Sequence, residues 1–500
     1  MRFLGVDMGT SGCKAVIFNE SWDIVCQAYR EYPTHFPGEG YMEIDPALVW
    51  ENIRQVIIEA NSKTDEPVTA LAVSAIGDVI IPVDKEGNCH RKYAIIDFDP
   101  RGEEEIQEFA ERFGKEAFFQ ISGMPPLFIG SLAKILWIKN HEPEIFDNTA
   151  RWATFEDYII EKLGLRPIAS YSELSRTMLF DIRKRTWSEE ILKAVPIRPD
   201  QLPVAAESGS IAGELSAQMC KELGFTQPVL AAVGGHDMVC AAVGAGLDEN
   251  EPGTAVDIAG TIEGVVVALK ECNTSMAMCD QAFSCYVGYK DYVTFSVNLT
   301  AGCITRWYRD MVVPDDYKFC KENGINFYEY MQRTMRVDEP GNIYLLPHFS
   351  GSGNPFFDAN AKGALYGLTT DTERSEIGRA LVEGLAYEVK MQLEAFERAG
   401  IKIDALRAVG GGAAIDRQLQ LKANITGKKI IKCSVTEGSA MGAAVYAAIA
   451  AGAMSHPGEI KKYTDSKEKI FVPEEESTKK FEKSYETYRK LSYAIHGIEL

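Results

Sequence analysis

Residues 1–18 read MRFLGVDMGTSGCKAVIF, in which two apolar runs flank the turn Gly9-Thr10-Ser11-Gly12. Apolar runs on both sides of a turn rich in glycine and hydroxyl residues predict two strands joined in a hairpin. The tip of this hairpin presents backbone N–H groups, with the hydroxyls of Thr10 and Ser11 and the ammonium of Lys14 close by in the sequence. Such a tip can bind phosphate. The alternative is an ordinary hairpin with glycine at its tight positions.

A second copy of this pattern lies near the midpoint of the chain, where residues 254–269 read TAVDIAGTIEGVVVAL. Gly260-Thr261 follows Asp257 and precedes a β-branched run, as Gly9-Thr10 follows Asp7. Repetition of a local pattern indicates repetition of a structural unit. The sequence therefore predicts two α/β domains of similar plan, each of which contributes a phosphate-binding hairpin to a cleft between them.

The composition is that of a globular protein, with 46% hydrophobic and 25% charged residues, and 500 residues suffice for two or three domains. The net charge of −20 argues against nucleic acids and anionic membranes as partners. Residues 440–454 form an uncharged, Ala-rich stretch that is too short to span a membrane and is expected to be a buried helix. Eleven cysteines without CxxC pairs, in a chain that enters a strand at once, are expected to be reduced thiols in the cytosol.

Charged residues follow predicted strands in two places of the first half. Residues 67–83 predict two strands interrupted near Asp78. Residues 93–101 predict a strand that leads to three charged residues, Asp97, Asp99 and Arg101. Because open α/β sheets bind ligands at the carboxyl ends of their strands, these side chains are candidate ligand contacts. The alternatives are a solvent-exposed strand end for Asp78 and an ion pair between Asp99 and Arg101.

Residues 229–243 predict a buried strand, a tight turn at Gly234-Gly235 and the beginning of a helix. His236 and Asp237 lie at the junction, where the helix dipole and free N–H groups stabilise a carboxylate. A carboxylate at this edge of a sheet can accept the proton of a substrate hydroxyl. A simple N-cap is the alternative for Asp237, and a packing or hydrogen-bonding role is expected for His236.

Two turns in the second half predict a site for a flat or anionic ligand. The chain passes from a strand into a helix at Ala301-Gly302, and a predicted strand at residues 406–409 is followed by Gly410-Gly411-Gly412 and a helix from Asp416. A glycine turn followed by a helix N-terminus allows close approach of such a ligand. Residues 375–400 predict one long amphipathic helix, because apolar residues recur there every four positions.

Taken in order, these segments resemble the FGGY family of carbohydrate kinases over nearly the whole chain, from Gly5 to about Ala450. The most specific piece is GALYGLTTDTERSEIGRALVEG at residues 363–384, which is similar to the family's C-terminal signature throughout. SLAKILWIKN at residues 131–140 resembles the N-terminal signature, although Ile129 departs from its usual start. The segments YSELSRTMLFDI, GGHDM, GGGA and EGSAMGAA also match family segments in the expected order.

The resemblance implies an α/β fold with two actin-like (ribonuclease H-like) domains and a cleft for ATP and sugar between them. The expected domains are residues 1–246, with the sugar site and the catalytic acid, and residues 247–455, which bind ATP. Residues 456–500 are expected to form a helical tail packed on the body. The implied activity is transfer of the γ-phosphoryl group of ATP to a hydroxyl of a sugar or polyol, with Mg²⁺ as cofactor.

The same resemblance implies roles for individual residues. Asp237 in GGHDM matches the catalytic base, and Asp7 matches the residue that holds Mg²⁺, usually through water; Asp237 is assigned to the same metal site. The ATP-binding residues implied are Gly9, Thr10, Ser11, Lys14, Gly260, Thr261, Gly302, Gly411, Gly412 and Asp416, although the family often has Asn or Ser in place of Asp416. The substrate-binding residues implied are Gly77, Asp78, Asp99, Arg101 and Asp237.

Departures from the family pattern fall at the expected substrate site. Xylulose kinases of that family usually carry Gln-Met-His where this chain has Ile76-Gly77-Asp78, and many members read Trp-Asn-Asp-Gln-Arg where it has Asp97-Phe98-Asp99-Pro100-Arg101. Asp78 and Asp97 therefore add carboxylates, which accept hydrogen bonds from paired hydroxyls and repel anions. We expect a neutral polyhydroxylated substrate, in the first place a ketopentose, and not a sugar acid.

Alternatives to a ketopentose kinase stay open at this point. The substrate could be another polyol, such as glycerol or erythritol, or the chain could be an actin-like ATPase that hydrolyses ATP without a sugar acceptor. A sugar-sensing protein without catalysis is disfavoured because both Asp7 and Asp237 are present. The sequence does not fix the oligomeric state, so a homodimer also stays open.

Overall fold

The computed structural model of the chain describes residues 1–38, 40–335, 337–358, 360–465 and 468–496. Its strands are β1 (Phe3–Met8), β2 (Gly12–Phe18), β3 (Ile24–Glu31), β4 (Glu43–Ile44), β5 (Ala70–Ala75), β6 (Ile81–Val83), β7 (Ala94–Ile95), β8 (Arg151–Ala153), β9 (Ile168–Ser170), β10 (Phe180–Asp181), β11 (Thr186–Trp187), β12 (Val204–Ala206), β13 (Ile211–Glu214), β14 (Leu230–His236), β15 (Thr254–Ala259), β16 (Glu263–Leu269), β17 (Tyr286–Val287), β18 (Tyr292–Asn298), β19 (Tyr344–Leu346), β20 (Ala364–Tyr366), β21 (Ala405–Val409), β22 (Lys429–Lys432) and β23 (Lys469–Phe471).

The α-helices are α1 (Pro46–Asn61), α2 (Glu103–Phe113), α3 (Lys115–Ser122), α4 (Ser131–His141), α5 (Pro143–Asn148), α6 (Phe155–Lys162), α7 (Tyr171–Ser175), α8 (Glu189–Ala194), α9 (Ala217–Glu222), α10 (Asp237–Gly244), α11 (Met276–Cys279), α12 (Gly302–Trp307), α13 (Pro314–Glu322), α14 (Phe327–Thr334), α15 (Arg374–Arg398), α16 (Asp416–Thr426), α17 (Gly438–Ala450), α18 (Lys461–Thr464) and α19 (Glu475–Ile495). Short 3-10 turns occur at Pro199–Gln201, Gly411–Ala413 and Pro457–Ile460, and a π-helical turn occurs at Tyr308–Val312.

The first hairpin lies at the centre of a sheet that has six strands within the described chain, in the order β13-β14-β5-β1-β2-β3. β1 pairs antiparallel with β2, which places Asp7 opposite Lys14, and parallel with β5, which places Asp7 beside Ser74. β14 extends the parallel side of the sheet next to β5. All six residues of β5 are buried, as expected for a parallel strand covered on both faces. The hairpin predicted from residues 1–18 is therefore confirmed.

The second hairpin organises a sheet built on the same scheme. Among the described residues it has seven strands in the order β17-β18-β16-β15-β21-β22-β23. β15 pairs antiparallel with β16 and parallel with β21, as β1 does with β2 and β5. Both sheets also have an antiparallel edge strand beside their last parallel strand, β13 beside β14 and β23 beside β22. The prediction of two related α/β domains is thus confirmed.

Helix α17 connects the two halves of the molecule. It belongs to the second half of the sequence but packs against β1, β5 and α10 of the first half. Small residues allow this close approach, because an added Cβ on Gly5 would overlap the carbonyl oxygen of Ala440, and one on Gly442 would overlap that of Cys240. The buried helix predicted over residues 440–454 is observed, although it begins at Gly438 and ends at Ala450.

The strand predicted over residues 93–101 is wrong in length. Only Ala94 and Ile95 form a strand, and they pair with the equally short β4 outside the main sheet. Beyond them the Asp99 carboxylate accepts hydrogen bonds from the backbone N–H groups of Met42 and Arg101, at 2.6 and 2.9 Å. An Asp that bonds nearby backbone in this way stabilises a turn in place of a strand.

The long helix predicted over residues 375–400 is observed as α15, and Gly400 follows its end with a φ of +80°. In the tail, Phe481, Tyr485 and Tyr488 of α19 are buried in a cluster that includes residues of α15. The Tyr488 hydroxyl donates a hydrogen bond to Glu388 Oε1 of α15 at 2.5 Å. In the part of the chain that the structure describes, no helix combines the length and apolar character needed to cross a bilayer.

Candidate active site

A cleft with about 820 Å³ of empty space lies between residues of the two sheets and will be called the acid cavity. Carboxylates are its distinguishing feature, and most of its other lining residues are apolar. It is lined by Thr10, Ile76, Gly77, Asp78, Asp97, Phe98, Met124, Pro125, Leu127, Ile129, Arg176, His236, Asp237, Met238, Ile262, Ala282, Ser284, Phe295, Val297, Asn354 and Phe357.

Asp237 enters the acid cavity from the first turn of α10, directly after β14. The N-cap alternative for this residue is wrong, because His236 occupies the N-cap position. Burial, followed by the negative charge of Asp7, raises the pKa of Asp237 to about 8. His236 Nε2 lies 3.3 Å from Asp237 Oδ1. Burial and then the Arg176 charge hold the pKa of His236 well below its usual range, so this imidazole is neutral at pH 7.

Asp78 and Asp97 supply further carboxylates to the same cavity. Asp78 is 7% exposed, so the alternative of a solvent-exposed strand end is wrong. Arg176 binds one of its oxygens, with Nη2 at 2.6 Å and Nε at 3.1 Å from Oδ2. Among the described residues, Oδ1 of Asp78 and Oδ1 of Asp97 are buried without a hydrogen-bond partner. Because buried polar atoms are normally paired, these two oxygens are available to a ligand that donates hydrogen bonds.

Gly77 makes room for the ring of His236. A Cβ added at Gly77 would overlap the His236 ring carbon Cδ2, and it would also lie 3.1 Å from Cγ of Arg176. Any larger residue at this position would therefore displace the neighbour of Asp237. The role of Gly77 in this geometry is to permit close packing within the cavity wall.

Asp99 and Arg101, which the sequence analysis assigned to substrate binding, do not appear in the lining of the acid cavity. The alternative of an ion pair between them is confirmed, with Arg101 Nη2 at 2.6 Å from Asp99 Oδ2. Arg101 also binds Glu43 Oε1 at 2.9 Å. Both side chains are buried and engaged with other protein groups in this structure.

The first hairpin tip reaches the acid cavity through Thr10. Asp7 lies one residue before Met8 at the end of β1, and burial raises its pKa to about 6 while Lys14 opposes that shift. Lys14 itself pairs with Glu437 Oε2 at 2.5 Å, across the interface with the second half of the chain. The predicted phosphate contact of Lys14 would therefore compete with this ion pair.

A second cleft, with about 560 Å³ of empty space, lies beside the second hairpin and will be called the glycine-lined cavity. Gly302 N–H donates to the carbonyl oxygen of Gly260 at 3.0 Å, so the hairpin tip and the beginning of α12 are in direct contact. The cavity is lined by Ala259, Gly260, Glu263, Ala301, Gly302, Thr305, Leu381, Val382, Leu385, Ala386, Gly412, Gln418, Leu419 and Lys422. Three of the predicted ATP-binding glycines, 260, 302 and 412, thus meet in one place.

Thr261, Gly411 and Asp416 do not appear in the lining of the glycine-lined cavity. Thr261 and Gly411 are direct neighbours of lining residues. Asp416 begins α16, where its carboxylate pairs with the ammonium groups of Lys432 at 2.9 Å and Lys469 at 2.6 Å. This pairing occupies the side chain that the resemblance assigned to ATP.

Two charged side chains that line the cavities, Arg176 and Lys422, were not predicted from the sequence. Arg176 in the acid cavity lies in the segment SELSRTMLFD, where one basic residue between Glu173 and Asp181 was the available signal. Lys422 in the glycine-lined cavity is held by Asp257 and by Glu263, the latter at 2.6 Å. Burial raises the pKa of Glu263 to about 7 although Lys422 opposes the shift.

Asp7 and Asp237 are electrostatically coupled acids, and their oxygen donors fit a divalent cation. Both carboxyl groups have raised pKa values, and the charge of Asp7 contributes to the shift of Asp237. Hard cations such as Mg²⁺ bind carboxylate oxygens and oppose the repulsion between them. The donor set of these two residues therefore suits the predicted metal.

Comparison with known proteins places the whole chain in one group. The model of the FGGY family of carbohydrate kinases, N-terminal domain, matches residues 2–244, and that of the C-terminal domain matches residues 255–451. A xylulose kinase of Staphylococcus xylosus is 27% identical over 493 residues, which cover 98% of this chain and 99% of that protein. A glycerol kinase of Koribacter versatilis is 28% identical over 479 residues, which cover 92% of this chain and 91% of that protein. The structure of a ligand-bound xylulose kinase from Lactobacillus acidophilus shares the fold, with a TM-score of 0.88 at 22% identity over 99% of this chain and 98% of that one.

Proposed function

The chain belongs to the FGGY family of carbohydrate kinases, and we propose that it transfers the γ-phosphoryl group of ATP to a hydroxyl of a neutral sugar or polyol, with a ketopentose as substrate. The observation that carries this proposal is that Asp237 shares one cavity with the tip of the first hairpin and with unpaired carboxylate oxygens of Asp78 and Asp97. An acid, a phosphate-binding tip and acceptors for hydroxyl groups are the parts that transfer to a sugar requires.

Asp237 is proposed as the general base. Its carboxylate accepts the proton of the attacking hydroxyl, and a pKa near 8 makes it a stronger base than an ordinary aspartate. Apolar residues in the cavity wall, such as Phe295 and Met124, limit access of water, which would otherwise compete as an acceptor. When bound, Mg²⁺ neutralises charge on the phosphates. Asp7 and Asp237 would hold it.

The glycine-lined cavity is proposed as the site of the nucleoside. Leu381, Val382 and Leu385 of α15 supply apolar contact for a base, and Gly302 at the beginning of α12 leaves its backbone accessible. The tips at Gly9-Thr10-Ser11 and Gly260-Thr261 are proposed to bind the phosphates. Lys14 would join them only by leaving Glu437.

The substrate is proposed to be neutral because the acid cavity offers acceptors and little free positive charge. Among the described residues that line the acid cavity, Arg176 is the one with a positive charge, and it already donates hydrogen bonds to Asp78 and Ser284. Asp78 and Asp97 would accept hydrogen bonds from two hydroxyl groups and repel a carboxylate. Asp99 and Arg101 are proposed to shape the loop that carries Asp97, in place of the direct contacts expected from the sequence.

A screen of acceptors with a coupled assay for ADP tests the proposed function. With ketopentoses, polyols, hexuloses and sugar acids at equal concentration, we expect the fastest sugar-dependent ADP release from a ketopentose. Asp237→Asn should lose at least about a hundredfold in kcat, since a positioned base contributes 10²–10⁴, while ADP affinity stays within about twofold. Asp291→Asn is the matched control, because Asp291 is also a buried aspartate with a pKa of about 7 but lines neither cavity.

Three results would contradict the proposal in different ways. Fastest turnover of a sugar acid would refute the neutral substrate. ADP release that does not depend on any sugar would identify an ATPase without an acceptor. Substantial sugar phosphorylation by the Asp237→Asn variant would refute the assignment of the base.

A further inference from the structure

Lys134 of α4 is a fully buried lysine whose ammonium lies 5.4 Å from the ring centroid of Phe128 and donates its hydrogen bonds to backbone carbonyls. Its Nζ donates to the carbonyl oxygens of Phe128 at 2.8 Å, of Arg101 at 3.2 Å and of Asp99 at closer range. A lysine ammonium has three N–H donors, so these three carbonyls use all of them. Lys134 is not a lining residue of either cavity. Any influence it has on a ligand therefore passes through the segments it binds.

The three carbonyls belong to two loops that form part of the wall of the acid cavity. The first, residues 97–101, contributes Asp97 and Phe98 to the lining. The second, residues 124–129, contributes Met124, Pro125, Leu127 and Ile129. One buried ammonium thus ties together two stretches of wall that are distant in sequence, and it ties both to α4.

Other contacts hold the first loop against α4 at the same place. The guanidinium of Arg101 lies 5.0 Å from the ring centroid of Trp137 in α4 and 4.4 Å from that of Tyr41. Gly102, with a φ of +93°, follows the loop, and a Cβ added there would overlap the carbonyl oxygen of Ala133. The loop therefore lies directly on the helix turn that presents Lys134. Loss of the ammonium would leave buried carbonyls without donors, which is a costly change.

We propose that Lys134 is a positioning residue of the sugar site, whose charged ammonium fixes the spacing of loops 97–101 and 124–129 and thereby the affinity for sugar. This inference rests on the proposed function of the acid cavity. The hydrogen-bond partners of this lysine, in the segment SLAKILWIKN, are three neutral carbonyls, and the two loops that carry them give the buried charge a role in the sugar site.

The environment of Lys134 makes its charge sensitive to pH near neutrality. Burial lowers the pKa of Lys134 to about 8, while Asp99, Asp97 and Asp78 oppose that shift and Arg101 adds to it. The ammonium is therefore present below pH 8 and loses one donor proton as the pH rises above 8. The two loops should therefore become less ordered over that range. Asp237 in the acid cavity also has a pKa of about 8, so protection of the loops from exchange, and not sugar affinity, reports the charge of Lys134.

Lys134→Met and its control Lys139→Met test the proposal by calorimetry with xylulose and glycerol in the absence of nucleotide. Lys139 lies on the same helix, and its ammonium lies over the ring of Phe146, which belongs to neither loop. We expect Lys134→Met to weaken sugar binding at least tenfold and to leave ADP binding within twofold, while Lys139→Met changes neither. Hydrogen exchange should increase in residues 97–101 and 124–129 of Lys134→Met.

Wild-type protein supplies a second measurement in case Lys134→Met does not fold. After correction for the intrinsic rate, exchange in both loops should increase between pH 7.5 and 9.5. Unchanged sugar affinity in Lys134→Met, or loops whose protection does not respond to this pH change in the wild type, would overturn the proposal. Absence of sugar-dependent ADP release would instead refute the proposed function, because binding and exchange are measured without turnover.

Discussion

At the scale of the residue, the chemistry depends on a cluster of acids that raise one another's pKa. Burial is the largest cause for Asp237, and the charges of Asp7, Asp97 and Asp78 add to it. Asp97 shows the same pattern, with a pKa raised to about 7 by burial and then by Asp78. An aspartate in this setting gains basicity but is mostly protonated at pH 7, so activity should depend strongly on pH.

We predict that kcat/KM rises with pH up to about 8, because Asp237 must be ionised to accept a proton and its pKa in the free enzyme is raised to about 8. Asp97→Asn removes a negative charge that raises this pKa, and should move the rising limb of the kcat/KM profile to lower pH. Profiles of kcat/KM for MgATP from pH 5.5 to 9, at one fixed subsaturating sugar concentration, provide the measurement. Asp291→Asn should leave the limb in place, and an unmoved limb in Asp97→Asn would contradict the coupling.

The sequence predicted the residues of this site unevenly, and the reason is physical. Asp237 comes directly after a buried strand and begins a helix, and both are local patterns, so its position could be predicted. The tight turn expected at Gly234-Gly235 is wrong, because both glycines belong to strand β14. Arg176 and Asp78 are 98 positions apart, and nothing local shows that they form an ion pair. Asp99 and Arg101 were placed at the substrate because charge at a strand end suggests a ligand, but they pair with each other.

At the scale of the element, each hairpin places a strand acid beside a lysine, which belongs to the hairpin itself in the first case and to another element in the second. In the first, Lys14 of β2 is opposite Asp7 of β1. In the second, the basic partner comes from α16, where Lys422 lies between Asp257 of β15 and Glu263 of β16. Both acids of the second hairpin are buried, so the lysine ammonium is the opposite charge that compensates them.

We predict that Lys422→Met destabilises the protein by about 3–5 kcal/mol at pH 8, since loss of one partner leaves buried charge uncompensated. Burial already raises the pKa of Glu263 to about 7 although Lys422 opposes the shift, so without the lysine this pKa would rise further above its value in the unfolded state. Stability is then retained at low pH and lost as the pH rises, so the deficit should be smaller at pH 5 than at pH 8. Urea unfolding at both pH values measures this difference.

Lys429→Met is the control, because Lys429 is exposed at the beginning of β22. It should change the free energy of unfolding by less than about 0.5 kcal/mol. Equal stability of Lys422→Met and wild type at pH 8 would show that the two acids do not need the ammonium.

The elements themselves could be predicted wherever a local period or turn defined them. Both hairpins and the long helix α15 belong to this class. The strand expected over residues 93–101 failed because the Asp99 carboxylate binds the N–H of Met42, 57 positions away, and holds a turn there. The two-residue pairing of β4 with β7 likewise has no local signal.

At the scale of the whole molecule, α17 lies where the two sheets meet. It contacts β1, β5 and β14 of the first half, and its neighbour α10 begins with Asp237. The proposed domain boundary near residue 247 therefore separates the two parts in sequence only. Helix α17 belongs to the second part, but its side chains pack in one hydrophobic core with residues of the first part. The repeat of the hairpin pattern predicted two domains. The packing of α17 on the first half could not be predicted in this way, because it joins residues about 200 positions apart in the sequence and no local pattern indicates such contacts.

The contact of α17 with α10 leads to a prediction about activity and stability together. A Cβ at Gly442 would overlap the carbonyl oxygen of Cys240 in α10, and backbone cannot move aside as a flexible side chain can. We predict that Gly442→Ala forces the helices apart, lowers the melting temperature and reduces kcat more than tenfold, because α10 carries Asp237 at its first position. Gly438→Ala is the matched control on the same helix, since its Cβ would lie 3.2 Å from the carbonyl oxygen of Ala241 and requires only a small shift. Thermal unfolding and kcat measured for both variants decide the matter. If Gly442→Ala retained both the wild-type melting temperature and the wild-type kcat, the close approach of α17 would not be what holds Asp237 in place.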